Sequence, residues 1–254
     1  MKIAIDKGHN RGQDIGAVAI GNENTMNIET GDKVISKLKS LGYDVLDVIN
    51  NIGNDVSVGE SLGARVSIAN NWGADLYVSI HANAGGGTGT EVWCGSSSSV
   101  DIATRITENI ADAFGYRNRG VKIQGQDGYG HLYVLNNTNM PALLVEQCFV
   151  DSQDDMNKWD SEKMANAIVK GITGQVVEDA TPVQPVKSTV PKYDVTIPDG
   201  VFSIIGTNGY FEQAKDGRLI IHKDRGNYIA IGQGFIDIYW NDNNGHGGSK
   251  RLSN

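Results

Sequence analysis

The chain has 254 residues, of which 39% are hydrophobic and 20% charged, so its length and globular composition allow one or two domains. The formal net charge of −8 argues against a protein that holds nucleic acid by its phosphates. Two cysteines exclude a disulfide-rich scaffold and a four-cysteine zinc site, and the lack of a run of 18 apolar residues excludes a membrane span.

Two hydrophobic periodicities alternate over residues 1–175. Strand-like runs and helix-like stretches follow one another at the spacing of crossover units, which predicts an α/β fold with a mostly parallel sheet covered by helices. The predicted strands are KIAID (2–6), YDVLDVI (43–49), DLYVSIH (75–81), TEVWC (90–94), HLYVL (131–135) and ALLVEQCF (142–149), and the predicted helices cover 25–41, 58–72, 98–114 and 159–173.

The composition changes after this part. Residues 176–192 hold three of the five prolines and few groups that could bury a helix or strand face, so we interpret them as an extended linker. Residues 193–254 show only short β runs separated by Gly, Asn and Asp, which predicts a small all-β C-terminal domain. These runs are VFSII, GYFEQA, RLIIHK, NYIAIG and FIDIYW.

Two histidines and two glutamates stand where a site is expected. His9 follows the predicted strand KIAID and His81 ends the predicted strand DLYVSIH, and ligand sites of open α/β sheets gather at the carboxyl ends of strands. Glu23 precedes a helix, and Glu146 ends the apolar run ALLVE. Two imidazoles and a carboxylate are a known zinc set that leaves a fourth position for water, whose pKa the metal lowers toward neutrality. Glu146 could then take the proton of that water and deliver it to a leaving nitrogen.

Structural roles remain open for the same residues. A histidine at a strand end is more often a hydrogen-bonded structural residue, and Glu23 could be an acid that the helix dipole favours. Glu146 is harder to explain in this way, because an acid after four apolar residues is costly unless it is paired or functional.

Six segments of residues 1–175 stand in the order typical of one family: IAIDKGHN, GAVAIGNENTMN, ADLYVSIHANA, GTEVW, RGVK and LYVLNNTNMPALLVEQCFVDSQDD. With them the chain resembles the zinc-dependent N-acetylmuramoyl-L-alanine amidases of the Amidase_3 family, which includes endolysins of phages that infect Gram-positive bacteria. The resemblance implies a six-stranded mixed sheet flanked by helices. It also implies hydrolysis of the amide between the lactyl group of N-acetylmuramic acid and L-alanine of the stem peptide.

The resemblance also implies residue roles. His9, Glu23 and His81 match the family's zinc ligands, and Glu146 matches its catalytic glutamate. Glu23 fits better than Glu29, because Glu23 begins the family's E-x-x-x-N pattern. The first loop departs from the family: GHN replaces the commoner GHGG, and Lys7 replaces a small residue beside the site, which puts the local substrate contacts in doubt.

Three further residues are weaker candidates. Asn83 and His131 lie beside the key strands and could contact substrate or support a ligand, although structural roles are more common for such residues. Glu91 resembles the family's G-x-E on the neighbouring strand and could orient His9 or His81.

The sequence thus predicts a zinc amidase over 1–175, a linker over 176–192 and a candidate cell-wall-binding domain over 193–254. The expected partners are peptidoglycan and, for the tail, a secondary wall polymer, with no nucleic acid and no membrane. The first residues, MKIAID, enter a strand-like run at once, so we expect no Sec-type signal and an endolysin that stays in the host cytoplasm until its release to the wall. The alternatives are a bacterial autolysin or spore-cortex amidase, a non-catalytic wall-binding protein, and a tail that serves dimerisation.

Overall fold

A computed structural model describes residues 1–126 and 130–176, together with five strands of the C-terminal part. The chain divides into two compact units, Met1–Lys187 and Ser188–Asn254. In the described residues no helix is long and apolar enough to cross a membrane.

The first unit is built on a six-stranded mixed sheet, which confirms the predicted fold class. The strand order is β2-β1-β3-β6-β4-β5. β1, β2, β3 and β6 run parallel, so their carboxyl ends meet at one edge, whereas β4 is antiparallel to β6 and parallel to β5. The strands are β1 (Lys2–Lys7), β2 (Asp44–Asp47), β3 (Leu76–Asn83), β4 (Thr90–Cys94), β5 (Asn118–Ile123) and β6 (Ala142–Phe149).

Helices cover both faces of this sheet. One apolar cluster joins α1, α3 and α6 to alternate strand residues such as Ile5 and Val78, and a second joins α2 and α4 to the opposite set, such as Ala4 and Tyr77. This alternation follows from the two-residue repeat of a strand. The helices are α1 (Glu23–Ser40), α2 (Val58–Trp72), α3 (Val100–Phe114), α4 (Tyr133–Asn137), α5 (Gln153–Met156) and α6 (Ser161–Thr173), and Val48–Asn51 form a 3₁₀ turn.

Two predicted elements of this unit need correction. The run HLYVL (131–135) is not a strand, because its second half begins α4, where Val134 and Leu135 are buried beside α2. Short apolar runs do not distinguish a strand from a buried helix segment. The strand that completes the sheet is instead β5, a half-buried edge segment without clear alternation that contains Gly120 at φ 79°.

The second unit holds an antiparallel five-stranded sheet in the order β11-β10-β9-β8-β7. Its all-β character matches the prediction, although the predicted run VFSII lies outside the described residues and β11 was not predicted. The strands are β7 (Tyr210–Gln213), β8 (Leu219–Lys223), β9 (Asn227–Gly232), β10 (Phe235–Asn241) and β11 (Gly247–Ser253).

Candidate metal centre

The fold brings three predicted ligands together at the carboxyl ends of β1 and β3. One donor atom from each of His9, Glu23 and His81 lies within 4.8 Å of the others. Glu23 Oε1 is 3.1 Å from His9 Nε2 and 3.1 Å from His81 Nδ1. The Glu23 side chain is 5% exposed, while those of His9 and His81 are 25% and 16% exposed, so the group can be reached from solvent.

Local sequence explains these positions. His9 takes a φ of 60° just after β1. The preceding residue must be glycine, because a Cβ at position 8 would lie 2.2 Å from His81 Nε2 on β3. Asn27 donates a hydrogen bond of 3.2 Å to the Gly8 carbonyl and so fixes this turn to α1. Asn22 caps α1 by accepting from the Thr25 amide, which places Glu23 at the first helical residue.

Each histidine uses its second nitrogen for a protein contact. His9 Nδ1 is hydrogen-bonded to Asp14 Oδ1, and His81 Nε2 lies 3.1 Å from Ser79 Oγ. Glu23 is held as well, since its Oε2 accepts 2.8 Å from the Ala17 amide and its Oε1 accepts 3.1 Å from the Ala82 amide. Such partners fix the orientation of ligands around a metal.

The electrostatics of the group favour a cation. Burial alone would lower the pKa of His9, but the hydrogen bonds and negative charges of Asp14 and Glu23 outweigh it and raise the pKa to about 10. Burial would raise the pKa of Glu23, yet its hydrogen bonds to His81 and His9 and the charge of His81 hold it well below the usual range. A positive charge is thus stabilised at His9, beside an ionised carboxylate.

The donor set fits zinc. Ligand distances of about 2.0–2.1 Å in a tetrahedron put neighbouring donors roughly 3.3 Å apart, close to the two 3.1 Å separations around Glu23. The set has the nitrogen and oxygen donors that zinc accepts and, among the residues that the structure describes, three protein ligands, as in catalytic zinc sites.

Glu146 lies next to this group. It is the cross-strand partner of His81 in the β3–β6 ladder and of Glu91 in the β4–β6 ladder, and partners in a ladder project to the same face. Its Oε2 is buried and has no hydrogen-bond partner in the described part of the chain. Burial, aided by the charges of Glu23 and Glu91, raises the pKa of Glu146 to about 7, although His81 and His9 oppose the rise.

The weaker candidates occupy different surroundings. Glu91 is buried and accepts hydrogen bonds from Asn83 Nδ2 at 3.2 Å, Trp93 Nε1 at 3.3 Å and Arg119 Nε at 2.8 Å, so its partners are not the two histidines. Asn83 therefore supports Glu91 beside Glu146. His131 is exposed and lies beside Gly125, outside the group of three donors.

Lys7 does not stand where the sequence suggested. Its side chain projects to the opposite face of the sheet, toward α1, and its buried Nζ forms ion pairs with the exposed Asp32 at 2.7 Å and with Asp47 at 2.6 Å. Residues next to each other in a strand point to opposite faces. The Lys7 side chain therefore faces α1, whereas that of the neighbouring Asp6 faces α2. The expectation that the Lys7 side chain lies beside the site is therefore wrong. Glu29 is exposed on α1, away from the donors.

Asp14 was missed by sequence reasoning. It lies five residues after His9 in a polar loop, and only the turn that pairs Arg11 with Asp14 brings it back to the imidazole. A signal was present, because a carboxylate close in sequence to a candidate metal-binding histidine is a common partner for the ring nitrogen that faces away from the metal.

Comparison with known proteins points to one family. Residues 3–177 match the Amidase_3 family, described as N-acetylmuramoyl-L-alanine amidase. Over 175 residues the chain is 36% identical to the N-acetylmuramoyl-L-alanine amidase CwlM of Bacillus licheniformis and 32% identical to a sporulation-specific N-acetylmuramoyl-L-alanine amidase of Bacillus subtilis. Each alignment covers 67% of this chain and 65% of the relative, so the match spans about two thirds of those proteins.

A solved structure agrees with these sequence matches. The catalytic domain of the CD27L endolysin, which targets Clostridia Difficile, superposes with a TM-score of 0.62 at 26% identity. The superposition covers 70% of this chain and 99% of that domain. The similarity therefore extends over the whole six-stranded unit.

Proposed function

Because the chain belongs to the Amidase_3 family of N-acetylmuramoyl-L-alanine amidases, we propose that it hydrolyses the amide between the lactyl group of N-acetylmuramic acid and L-alanine in peptidoglycan. The observation that carries this proposal is the approach of His9, Glu23 and His81 to within 4.8 Å beside Glu146. Three donors and an adjacent carboxylate are the parts that metal-assisted amide hydrolysis needs.

We propose that His9 Nε2, Glu23 Oε1 and His81 Nδ1 hold a zinc ion. When bound, zinc would supply a Lewis acid that polarises the scissile carbonyl and makes a water more acidic. The 25% and 16% exposure of the two histidine side chains leaves room for water and substrate on the solvent side of the group.

Glu146 moves the proton in this proposal. The attacking water forms a bond to the carbonyl carbon and gives a proton to Glu146, whose Oε2 has no competing hydrogen bond in the described residues. The carbon–nitrogen bond then breaks, and Glu146 returns the proton to the leaving nitrogen. The products are a lactyl carboxylate on the glycan and a free L-alanine amino terminus. A carboxyl pKa near 7 suits a group that must both accept and donate a proton.

We propose an endolysin-type role for the whole chain, with residues 193–254 as a cell-wall-binding domain for peptidoglycan or a secondary wall polymer. The similarity to an endolysin catalytic domain and the division into an α/β unit and a small β unit support this role. In that role the protein would remain in the host cytoplasm until it is released to the wall. The 32% identity to a sporulation-specific amidase favours a spore-cortex amidase as the second candidate.

Metal analysis and product analysis of the purified full chain test the proposal together. We expect about one zinc per chain and, by mass spectrometry of digested Gram-positive walls, intact lactyl-muramoyl glycans with new L-alanine amino termini. Cleavage within the glycan, or within peptide cross-links, would contradict the assigned bond. Faster digestion of spore cortex than of vegetative walls would favour the second candidate.

Variants separate the roles within the site. Glu146→Gln keeps the size of the side chain and all three donors, so it should retain zinc while turnover falls by about 10²-fold or more, the scale of acid–base catalysis. Glu29→Gln, on the exposed face of α1, is the matched control and should retain both zinc and turnover. If Glu146→Gln loses zinc, Glu146 is a ligand instead of the proton carrier.

A further inference from the structure

A buried polar cluster lies behind the candidate ligands, on the face of the sheet that α2 covers. All its members are at most 1% exposed, and we call it the Asp6 cluster: Asp6, Ser61, Arg65, Tyr77 and Ser79. Buried charge and hydroxyl groups on this scale are costly unless every one is paired. The amidase chemistry proposed above uses none of them directly.

Hydrogen bonds join this cluster to both candidate histidine ligands. Asp6 accepts from Arg65 Nη1, from the Tyr77 hydroxyl at 2.7 Å and from Ser79 Oγ at 2.9 Å. Ser79 Oγ is also 3.1 Å from His81 Nε2, and Arg65 Nη2 donates to the His9 carbonyl. One buried carboxylate is therefore two contacts away from each histidine.

The single hydroxyl hydrogen of Ser79 decides the direction of its hydrogen bond with His81. A carboxylate only accepts hydrogen bonds, so the hydrogen of Ser79 must point to Asp6 Oδ2, 2.9 Å away. If this hydrogen pointed to His81 instead, Ser79 Oγ and Asp6 Oδ2 would lie 2.9 Å apart with no hydrogen between them. Ser79 then accepts from Nε2–H of His81, and this contact holds the ring with its Nδ1 facing Glu23 Oε1 at 3.1 Å.

The His9 ring is oriented through its Nδ1, whereas the His81 ring is oriented through its Nε2. His9 Nδ1 contacts Asp14, so that Nε2 is the ring nitrogen that faces Glu23 Oε1, at 3.1 Å. The backbone of His9 has a φ of 60°, a conformation that L residues rarely adopt, and the hydrogen bond from Arg65 to the His9 carbonyl stabilises it. The two rings meet edge to face, with centroids 4.7 Å apart.

We infer that the Asp6 cluster is a positioning element for the metal centre, in which Ser79, oriented by Asp6, holds the His81 ring through its Nε2, and Arg65 holds the turn that presents His9. This inference rests on the proposed zinc site. It keeps Nδ1 of His81 directed toward the other two donors before a metal arrives. Loss of such a partner typically weakens metal binding 10–100-fold.

Two fully buried serines give a matched pair of variants. Ser79→Ala removes the oxygen that accepts from His81, whereas Ser99→Ala removes an equally buried hydroxyl that lies outside the Asp6 cluster and donates to the carbonyls of Ser96 and Ala142. In the full chain we expect zinc affinity, measured against a competing chelator, to fall by about 10–100-fold for Ser79→Ala and to stay near the parent value for Ser99→Ala. Ser79→Thr keeps the hydroxyl and should restore most of the affinity.

Nitrogen-15 correlation spectra of the histidine rings give a second readout that does not depend on activity or on zinc. In the zinc-free parent chain we expect the Nε2 hydrogen of His81 to be hydrogen-bonded and slow to exchange with water, and we expect this exchange to become faster in Ser79→Ala but not in Ser99→Ala. Equal exchange of this hydrogen in the parent and in Ser79→Ala overturns the inference, as does a Ser79→Ala chain that binds zinc as tightly as the parent. A parent chain that binds no zinc refutes the proposed metal centre instead, and the exchange rates still decide whether Ser79 holds the His81 ring.

Discussion

Glu146 should reduce the stability of the zinc-free protein at neutral and alkaline pH. Burial, aided by the charges of Glu23 and Glu91, raises the pKa of Glu146 from 4.5 to about 7. The unfolded chain therefore loses the proton near pH 4.5, while the folded protein keeps it to about pH 7. Since the folded state binds the additional proton, its stability falls as the pH rises between these values and is constant above them.

The expected size follows from the two pKa values. At about 1.4 kcal/mol for each tenfold change, a rise from 4.5 to about 7 corresponds to about 3 kcal/mol when Glu146 is fully ionised. Glu146→Gln removes the ionisation and keeps the shape. Relative to the parent, the variant should therefore gain about 2–3 kcal/mol between about pH 5 and pH 8.

Urea denaturation in the presence of a chelator measures this difference. Hydrogen exchange of peptides from β3 and β6 would restrict the signal to the first unit. Added zinc should shrink the pH-dependent gain, because a nearby cation favours the ionised carboxylate. The reasoning fails if the difference in unfolding free energy between parent and variant is the same at about pH 5 and pH 8. It also fails if the parent becomes more stable relative to the variant as the pH rises.

Three other predictions concern the ligands, the helix packing and the tail. His81→Ala should lose bound zinc by metal analysis, whereas the exposed Glu29→Gln should keep it. Gly171→Ala would place a Cβ 2.7 Å from the Ile106 Cα and should cost about 1–3 kcal/mol in urea denaturation. Gly63→Ala, whose nearest atom is 3.8 Å away, should stabilise α2 by about 0.5–1 kcal/mol. A labelled fragment 193–254 should sediment with Gram-positive walls and respond little to salt, since its six basic and seven acidic residues nearly cancel; a fragment that dimerises and ignores every wall would contradict this.

Sequence patterns were sufficient where a local rule governs the structure. Alternating periodicities predicted the α/β unit, and the position of His9 and His81 after apolar runs placed both at one edge of a parallel sheet. Glu146 stood out because an acid within an apolar run requires a partner or a function. Glu23 could be preferred over Glu29 only through the family pattern, and the structure shows Glu29 exposed.

Only the tertiary structure decided what depends on contacts between distant segments. β5 has no clear hydrophobic period and becomes a strand because it pairs with β4, where Arg119 also meets Glu91. The second half of HLYVL belongs to α4, because Val134 and Leu135 pack in an apolar cluster with residues of α2. Asp6 contacts Arg65 and Ser79 across 59 and 73 residues of chain, so no sequence spacing could reveal the cluster that connects both candidate histidine ligands. Propensity acts over a few neighbouring residues, whereas burial and hydrogen-bond pairing are fixed only when the sheet and its covering helices assemble.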